Sequence, residues 1–170
     1  MKSKKNLVLI GMMSSGKSTI GELLAKKLNF KFFDIDKIIE NETKMKIAEI
    51  FKIKGENFFR NLEEKTTIKL LNFSDAVISL GGGGFINEKI SKEIITNHYS
   101  YWLNWDSSIL LNRIKKSNKR PIAFNLTDDD LNQLIIKRSK IYSKAQFEIN
   151  CDKLTKNEIV KKILELYENN

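Results

Sequence analysis

A chain of 170 residues, 41% hydrophobic and 30% charged, suits one soluble globular domain that buries roughly 70% of its unfolded surface. Its single cysteine, Cys151, excludes an internal disulfide and fits a reducing compartment, and the apolar run Leu7 to Met13, interrupted by Gly11, is too short for a signal peptide or a membrane span. The net charge of +9 admits an anionic partner, but the lysines are scattered along helical segments with no interleaved aromatics, a pattern of solvated helix faces rather than of a nucleic-acid surface.

In chain order, Asn6–Ile10 reads as a short buried strand and Lys17–Leu28 as a helix. Between them lies Gly11-Met12-Met13-Ser14-Ser15-Gly16-Lys17-Ser18-Thr19, which fits G-x-x-x-x-G-K-[ST], the phosphate-binding P-loop, in the strand-then-helix setting that motif requires. The two glycines let the backbone curl so that successive N–H groups face a polyphosphate, and the first turn of the helix adds its dipole. Lys17 would reach the β- and γ-phosphates and Ser18 would hold Mg²⁺. A nucleoside triphosphate is therefore the first expected ligand.

A second strand, Lys31–Asp34, leads to Asp34-Ile35-Asp36. Residues two apart on a strand share a face, so both carboxylates are expected on one side: Asp34 at a water of the Mg²⁺ shell, Asp36 at a substrate hydroxyl or as the N-cap of a helix over Asp36–Glu42. Helices follow over Ile47–Ile53, with Ile47, Ile50 and Phe51 on one buried face, and over Glu56–Asn72. In the second, Arg60 precedes Glu63 by three residues, a spacing that lets the carboxylate steer the guanidinium.

The third strand, Ala76–Leu80, runs into Gly81-Gly82-Gly83-Gly84, whose use is close backbone approach with N–H donors exposed. Ser79 at the strand end stands within reach of the metal's water shell. A helix over Glu88–Thr96 and a strand over Tyr99–Leu103 come next, with His98 read as exposed or satisfied and Tyr101, Trp102 and Trp105 as packing residues. The helix Ser107–Lys115 carries Arg113. The basic stretch Lys115 to Pro121, with the only proline, reads as a mobile lid at about 113–126 with Arg120 near its far end. A helix over Asp128–Ser143 bears Arg138 and Tyr142 one turn apart, its leading aspartates complementing the helix dipole. Strand Gln146–Asn150 and helix Lys156–Tyr167 complete the chain. Alternation of strands and helices means an α/β fold, a parallel sheet with helices on both faces and its ligand at the strands' carboxyl ends.

Taken together, these residues resemble the shikimate kinases, of the nucleoside-monophosphate-kinase-like P-loop group. The likeness runs through nearly the whole length: the P-loop at 11–19, F-x-D-x-D ending at Asp36, G-E-x-x-F-R ending at Arg60, S-L-G-G-G at 79–83, Arg113, Arg120-Pro121, and R-x-x-x-Y at 138–142. The resemblance implies a three-layer α/β/α P-loop kinase fold, with a five-stranded parallel sheet of order 2-3-1-4-5, in one domain over 1–170 with a substrate-binding helical region at about 36–63. It implies transfer of the γ-phosphoryl group of ATP to the 3-hydroxyl of shikimate. Asp36 would bind ring hydroxyls and orient or deprotonate the attacking one. Arg60 and Arg138 would pair with the carboxylate, and Gly81, Gly82 and Gly83 would line the pocket. Arg120 would arrive with the lid. Gly11, Ser14, Ser15, Gly16, Lys17, Ser18, Thr19 and Arg113 would hold ATP, with Ser18 and, through water, Asp34 holding Mg²⁺. Two arginines on separate helices suit a small polyol with one carboxylate, because a planar guanidinium reads a carboxylate bidentately.

The chain departs from the family pattern at three places. Ser14 stands where glycine is expected, so the loop backbone is less free there. Gly84 extends three glycines to four. The segment Cys151 to Lys156 lacks an arginine or proline to frame adenine, leaving Lys153 or Thr155 as candidates. The rival readings are another small-metabolite kinase of this fold, such as a gluconate-kinase-like enzyme, and, from the charge alone, a nucleic-acid-binding P-loop protein. The expectation is a cytoplasmic monomer that binds ATP and shikimate and neither nucleic acid nor membrane.

Overall fold

Alternating side chains along β1 (Leu7–Ile10) divide the core in two. Val8 and Ile10 enter a large apolar cluster with Ile78, Leu80, Phe85, Ile90, Trp102 and Tyr142. Leu7 and Leu9 enter a second, with Ile20, Leu24, Val77, Tyr101, Ile159 and Ile163. A strand buried on both faces belongs to a parallel sheet covered on both sides. The structure, a computed structural model, describes residues 5–117 and 126–170.

The remaining elements are α1 (Lys17–Leu28), β2 (Lys31–Asp34), α2 (Ile35–Thr43), α3 (Ile47–Lys54), α4 (Glu56–Leu71), β3 (Ala76–Ser79), α5 (Glu88–Asn97), β4 (Tyr99–Asn104), α6 (Ser107–Lys116), α7 (Asp128–Tyr142), β5 (Phe147–Asn150) and α8 (Lys156–Glu168). The strands are all parallel, in the order β2-β3-β1-β4-β5. The P-loop kinase order expected from the sequence is therefore the observed one. Helices α1 and α8 pack over one face of the sheet. On the other side α4 lies against α5 and α6 against α7. Because β1 has β3 on one side and β4 on the other, its carboxyl end opens a crevice at the point where the strand order reverses, and the ligand belongs there.

The predicted boundaries hold to within a residue or so, with two differences that matter. The helix expected to begin at Asp36 begins at Ile35, and Asp34 is its N-cap: Asp34 Oδ1 accepts from the Lys37 N–H at 3.1 Å. Asp34 and Asp36 thus share no strand. The first ends β2 and the second sits in the first turn of α2, so the strand-parity argument for their common direction fails. The second difference is a single 3₁₀ turn, Gly84–Ile86, after the glycines, which no sequence signal announced.

The opposite end of the sheet is structural. Asn6, fully buried, donates through Nδ2 to the carbonyls of Leu71 (3.0 Å) and Phe73 (2.6 Å) and accepts through Oδ1 from the Ala76 N–H. His98 Nδ1 accepts from the Asn6 N–H, and burial draws the imidazole below its usual pKa, against the pull of Glu93. His98 is therefore a satisfied structural histidine. Cys151 is buried, and burial pushes its thiol up to about 12, which removes it from nucleophilic chemistry. Among the described residues no helix is long and apolar enough to cross a membrane.

Candidate active site

The carboxyl end of β1 passes directly into a loop held by three unusual backbone angles: Gly11 at φ 149°, Ser14 at φ 62° and Gly16 at φ 90°. Two are glycines, for which such angles cost little. Ser14 is not, and a serine in the left-handed region stores strain of about 1 kcal/mol. Gly16 then caps α1. The Lys17 ammonium, 6% exposed, folds back over the loop and donates to the carbonyls of Gly11 (2.9 Å) and Met12 (2.8 Å) and to Ser15 Oγ (3.4 Å). One turn of helix thus carries a cation across the mouth of a ring of peptide groups, the arrangement that receives a polyphosphate.

Beside it lies a cleft of about 240 Å³ lined by Ser14, Gly16, Lys17, Ser18, Thr19, Asp34, Asp36, Ser79 and Leu80. Ser18 Oγ donates to Asp34 Oδ2 at 2.5 Å, so α1 and the end of β2 are joined at the floor. The structure therefore brings Lys17, Ser18, Asp34 and Asp36 to one cleft. Asp36 arrives by the entry of the chain into α2 rather than by strand parity.

The glycine run forms the far wall. A methyl group at Gly81 would stand 2.6 Å from Glu63 Oε1 and 2.9 Å from Asp36 Oδ1. One at Gly83 would stand 2.5 Å from Arg60 Nη1, and one at Gly82 would stand 3.4 Å from Arg138 Nη1 and 3.2 Å from the Met13 amide. Side chains are thus missing where two acids and two arginines close in on the backbone. At Gly84 an added methyl would meet only ordinary contacts, the nearest 3.5 Å away, so the fourth glycine is a small residue outside this function.

Arg60 and Arg138 come from α4 and α7. Arg60 Nη1 donates to Glu63 Oε2 at 2.7 Å, and its guanidinium carbon lies 5.1 Å from the Phe59 ring centre. Burial pulls the Arg60 pKa down, but the Glu63 and Glu56 carboxylates outweigh it, so the group is held above its usual value and stays charged. Arg138 is 7% exposed, reaches Met12 Sδ at 3.9 Å, and leaves its buried Nε without a hydrogen-bond partner among the described residues. Tyr142, one turn on, donates to the Gly82 carbonyl and so ties α7 to the glycine wall.

Two residues matter more than the sequence suggested. Glu63 is 2% exposed, not a surface partner. Trp105, expected only to pack, donates its indole N–H to the Ser15 carbonyl at 2.9 Å, and the Arg113 guanidinium carbon sits 3.8 Å from the centre of its ring. Of the adenine-framing candidates, Thr155 is committed elsewhere: its hydroxyl caps α8 and pairs with Glu158. Lys153 is exposed. Arg120 and the centre of the predicted lid lie outside the described residues.

Comparison with known proteins gives one consistent result. The family model described as shikimate kinase matches residues 13–168. A shikimate kinase of Sulfurihydrogenibium sp. is 41% identical over 160 residues, covering 94% of this chain and 96% of the relative. Among solved structures, shikimate kinase from Aquifex aeolicus aligns with a TM-score of 0.85 at 35% identity, covering 96% of each chain. Shikimate kinase from Acinetobacter baumannii in complex with shikimate aligns with a TM-score of 0.91 at 26% identity, covering 99% of this chain and 95% of that one.

Proposed function

The chain belongs to the shikimate kinase family, and from that membership we propose how its own residues carry out the family's reaction, transfer of the γ-phosphoryl group of ATP to the 3-hydroxyl of shikimate. One observation carries the assignment of residues. Arg60 and Arg138, from different helices, reach adjacent glycines of one wall, with Asp36 beside them and the P-loop cleft next door.

Backbone N–H groups of residues 11 to 19 cradle the phosphates. Lys17 exchanges the carbonyls of Gly11 and Met12 for β- and γ-phosphate oxygens. Arg113 serves the base end. The oxygen set of Ser18 Oγ, the Asp34 carboxylate and Ser79 in one cleft suits a hard divalent cation, which keeps several waters and takes few protein ligands. Ser18 would hold Mg²⁺ directly and Asp34 through water. When bound, that ion neutralises charge on the polyphosphate.

At the acceptor end, Arg60 and Arg138 read the carboxylate of shikimate. Asp36 holds ring hydroxyls and takes the proton of the attacking one as the new P–O bond forms. Gly81 to Gly83 let the ring approach the backbone. Arg120 keeps its proposed part as a lid arginine on its sequence motif alone. The single buried thiol suits a reducing cytoplasm, and a monomer is the proposed state.

A panel of acceptors tests the whole, with ADP formation as the signal. Shikimate is expected to turn over fastest; faster turnover with gluconate or a nucleoside monophosphate would overturn the assignment.

A further inference from the structure

Trp105 follows β4 directly, and its indole reaches the phosphate-binding loop. An indole has one polar group, a donor. Here that donor is given to the carbonyl of Ser15, a residue 90 positions away and next to Gly16. The peptide between Ser15 and Gly16 is planar and trans, so fixing its C=O toward Trp105 turns the Gly16 N–H the opposite way, and Gly16 lines the cleft beside Lys17. The same ring carries the Arg113 guanidinium on its face at 3.8 Å, a distance at which the cation and the ring attract and the guanidinium loses freedom to roam.

The backbone around Trp105 is pinned as well. The next residue, Asp106, donates its N–H to Asp152 Oδ1 at 2.7 Å and caps α6, the helix that bears Arg113. Beside it, in the segment after β5, Thr155 is occupied as a cap and Lys153 is exposed. Among the described residues, an aromatic ring bonded to the P-loop and an arginine stacked on that ring thus stand together.

We propose that Trp105 is a positioning residue for ATP: it orients the Ser15–Gly16 peptide of the P-loop and holds Arg113 as the platform for the purine base, coupling the two ends of the nucleotide. The proposal deepens, and rests on, the assignment of this cleft to ATP.

Two substitutions separate its parts. Trp105→Phe keeps an aromatic face under Arg113 and removes the donor; Trp105→Ala removes both. The KM for ATP is expected to rise about threefold in the first and about tenfold in the second, with the KM for shikimate within about twofold of the parent. In the W105A/R113A double variant the loss is expected to fall short of the product of the two single losses, because either change alone dismantles the stack. Unchanged KM for ATP in folded W105F and W105A would overturn the proposal, as would an equal rise in the KM for shikimate, or a full product in the double variant. Lys17→Met is the companion measurement. Loss of ATP binding there beside unaffected Trp105 variants would refute the Trp105 proposal alone, whereas undiminished ATP binding in K17M would bring down the nucleotide cleft beneath it.

Discussion

Glu63 accepts from Arg60 at 2.7 Å one turn along α4, and of the two partners the arginine is half-buried, at 28%, and the glutamate buried, at 2%. The carboxylate is anchored under the glycine wall and the guanidinium is held out over it, against Gly83. An i,i+3 pair on an open helix surface is worth little. With one member buried, it becomes a support that fixes where a positive charge stands before any substrate arrives.

Removing the arginine tests that arrangement in two ways at once. Arg60→Ala deletes the charge-assisted contact proposed for the substrate carboxylate and takes the Arg60 guanidinium away from the buried Glu63. Shikimate affinity is expected to fall about 10- to 100-fold, with ATP affinity within about twofold. Stability should drop by about 2 kcal/mol, the partial exposure of Arg60 reducing the cost of a broken buried pair, for a fall in Tm of about 5 °C. Calorimetric titration with each substrate and a thermal melt measure both; equal loss of shikimate and ATP binding would contradict the assignment.

Gly83→Ala asks the same question from the other side. The new methyl would stand 2.5 Å from Arg60 Nη1, the far end of a side chain and not backbone, so the arginine is pushed from the position Glu63 gives it while the backbone stays. The expectation is a rise in the KM for shikimate of about tenfold, with Tm changed by less than about 3 °C. A large loss of stability with unchanged shikimate KM would show that Gly83 serves packing alone.

How much of this could be read beforehand depends on how local each signal is. The β1–loop–α1 unit was legible because strand, glycines, lysine and helix lie within about twenty residues and follow one rule. The sheet order needed the family resemblance, since alternation of strands and helices gives parallelism but no order. Asp36 was found through a wrong step: the chain leaves β2 at Asp34, and the turn into α2, not the pleat, carries Asp36 to the cleft. The Arg60–Glu63 spacing was visible, but Glu63's burial was not, because the glycine wall that covers it is remote in sequence. Trp105 was out of reach entirely. An aromatic after a buried strand reads as core, and its hydrogen-bond acceptor lies 90 residues upstream. Contacts made by one side chain across that distance leave no period and no motif.

Ser14 permits a test of strain in the P-loop. At φ 62° its side chain costs about 1 kcal/mol, and glycine would relieve that cost while adding freedom of similar size to the unfolded chain. Ser14→Gly is therefore expected to leave Tm within about 2 °C of the parent, whereas Ser14→Val, branched at Cβ in a region closed to such residues, should lower it by about 5 °C. Thermal melts of the two variants decide the matter. A marked loss of stability in Ser14→Gly would mean that the hydroxyl, not the backbone, is what the loop needs at this position.

Asp36 offers the most direct test of chemistry. It lines the cleft with Lys17, Ser18 and Asp34, and its Oδ1 would lie 2.9 Å from a methyl at Gly81, so the pocket fits its outline closely. Asparagine has that outline and can still donate to and accept from ring hydroxyls, but at neutral pH it cannot take up a proton. Asp36→Asn is therefore expected to fold with Tm within about 3 °C of the parent and to bind ATP normally, while kcat falls about 10²- to 10⁴-fold. The size of the fall separates two ways of acting. A loss near the upper figure with little change in the KM for shikimate marks proton acceptance in the transition state. A loss confined to KM marks an anchor for the hydroxyls, and near-normal turnover would remove Asp36 from the reaction altogether.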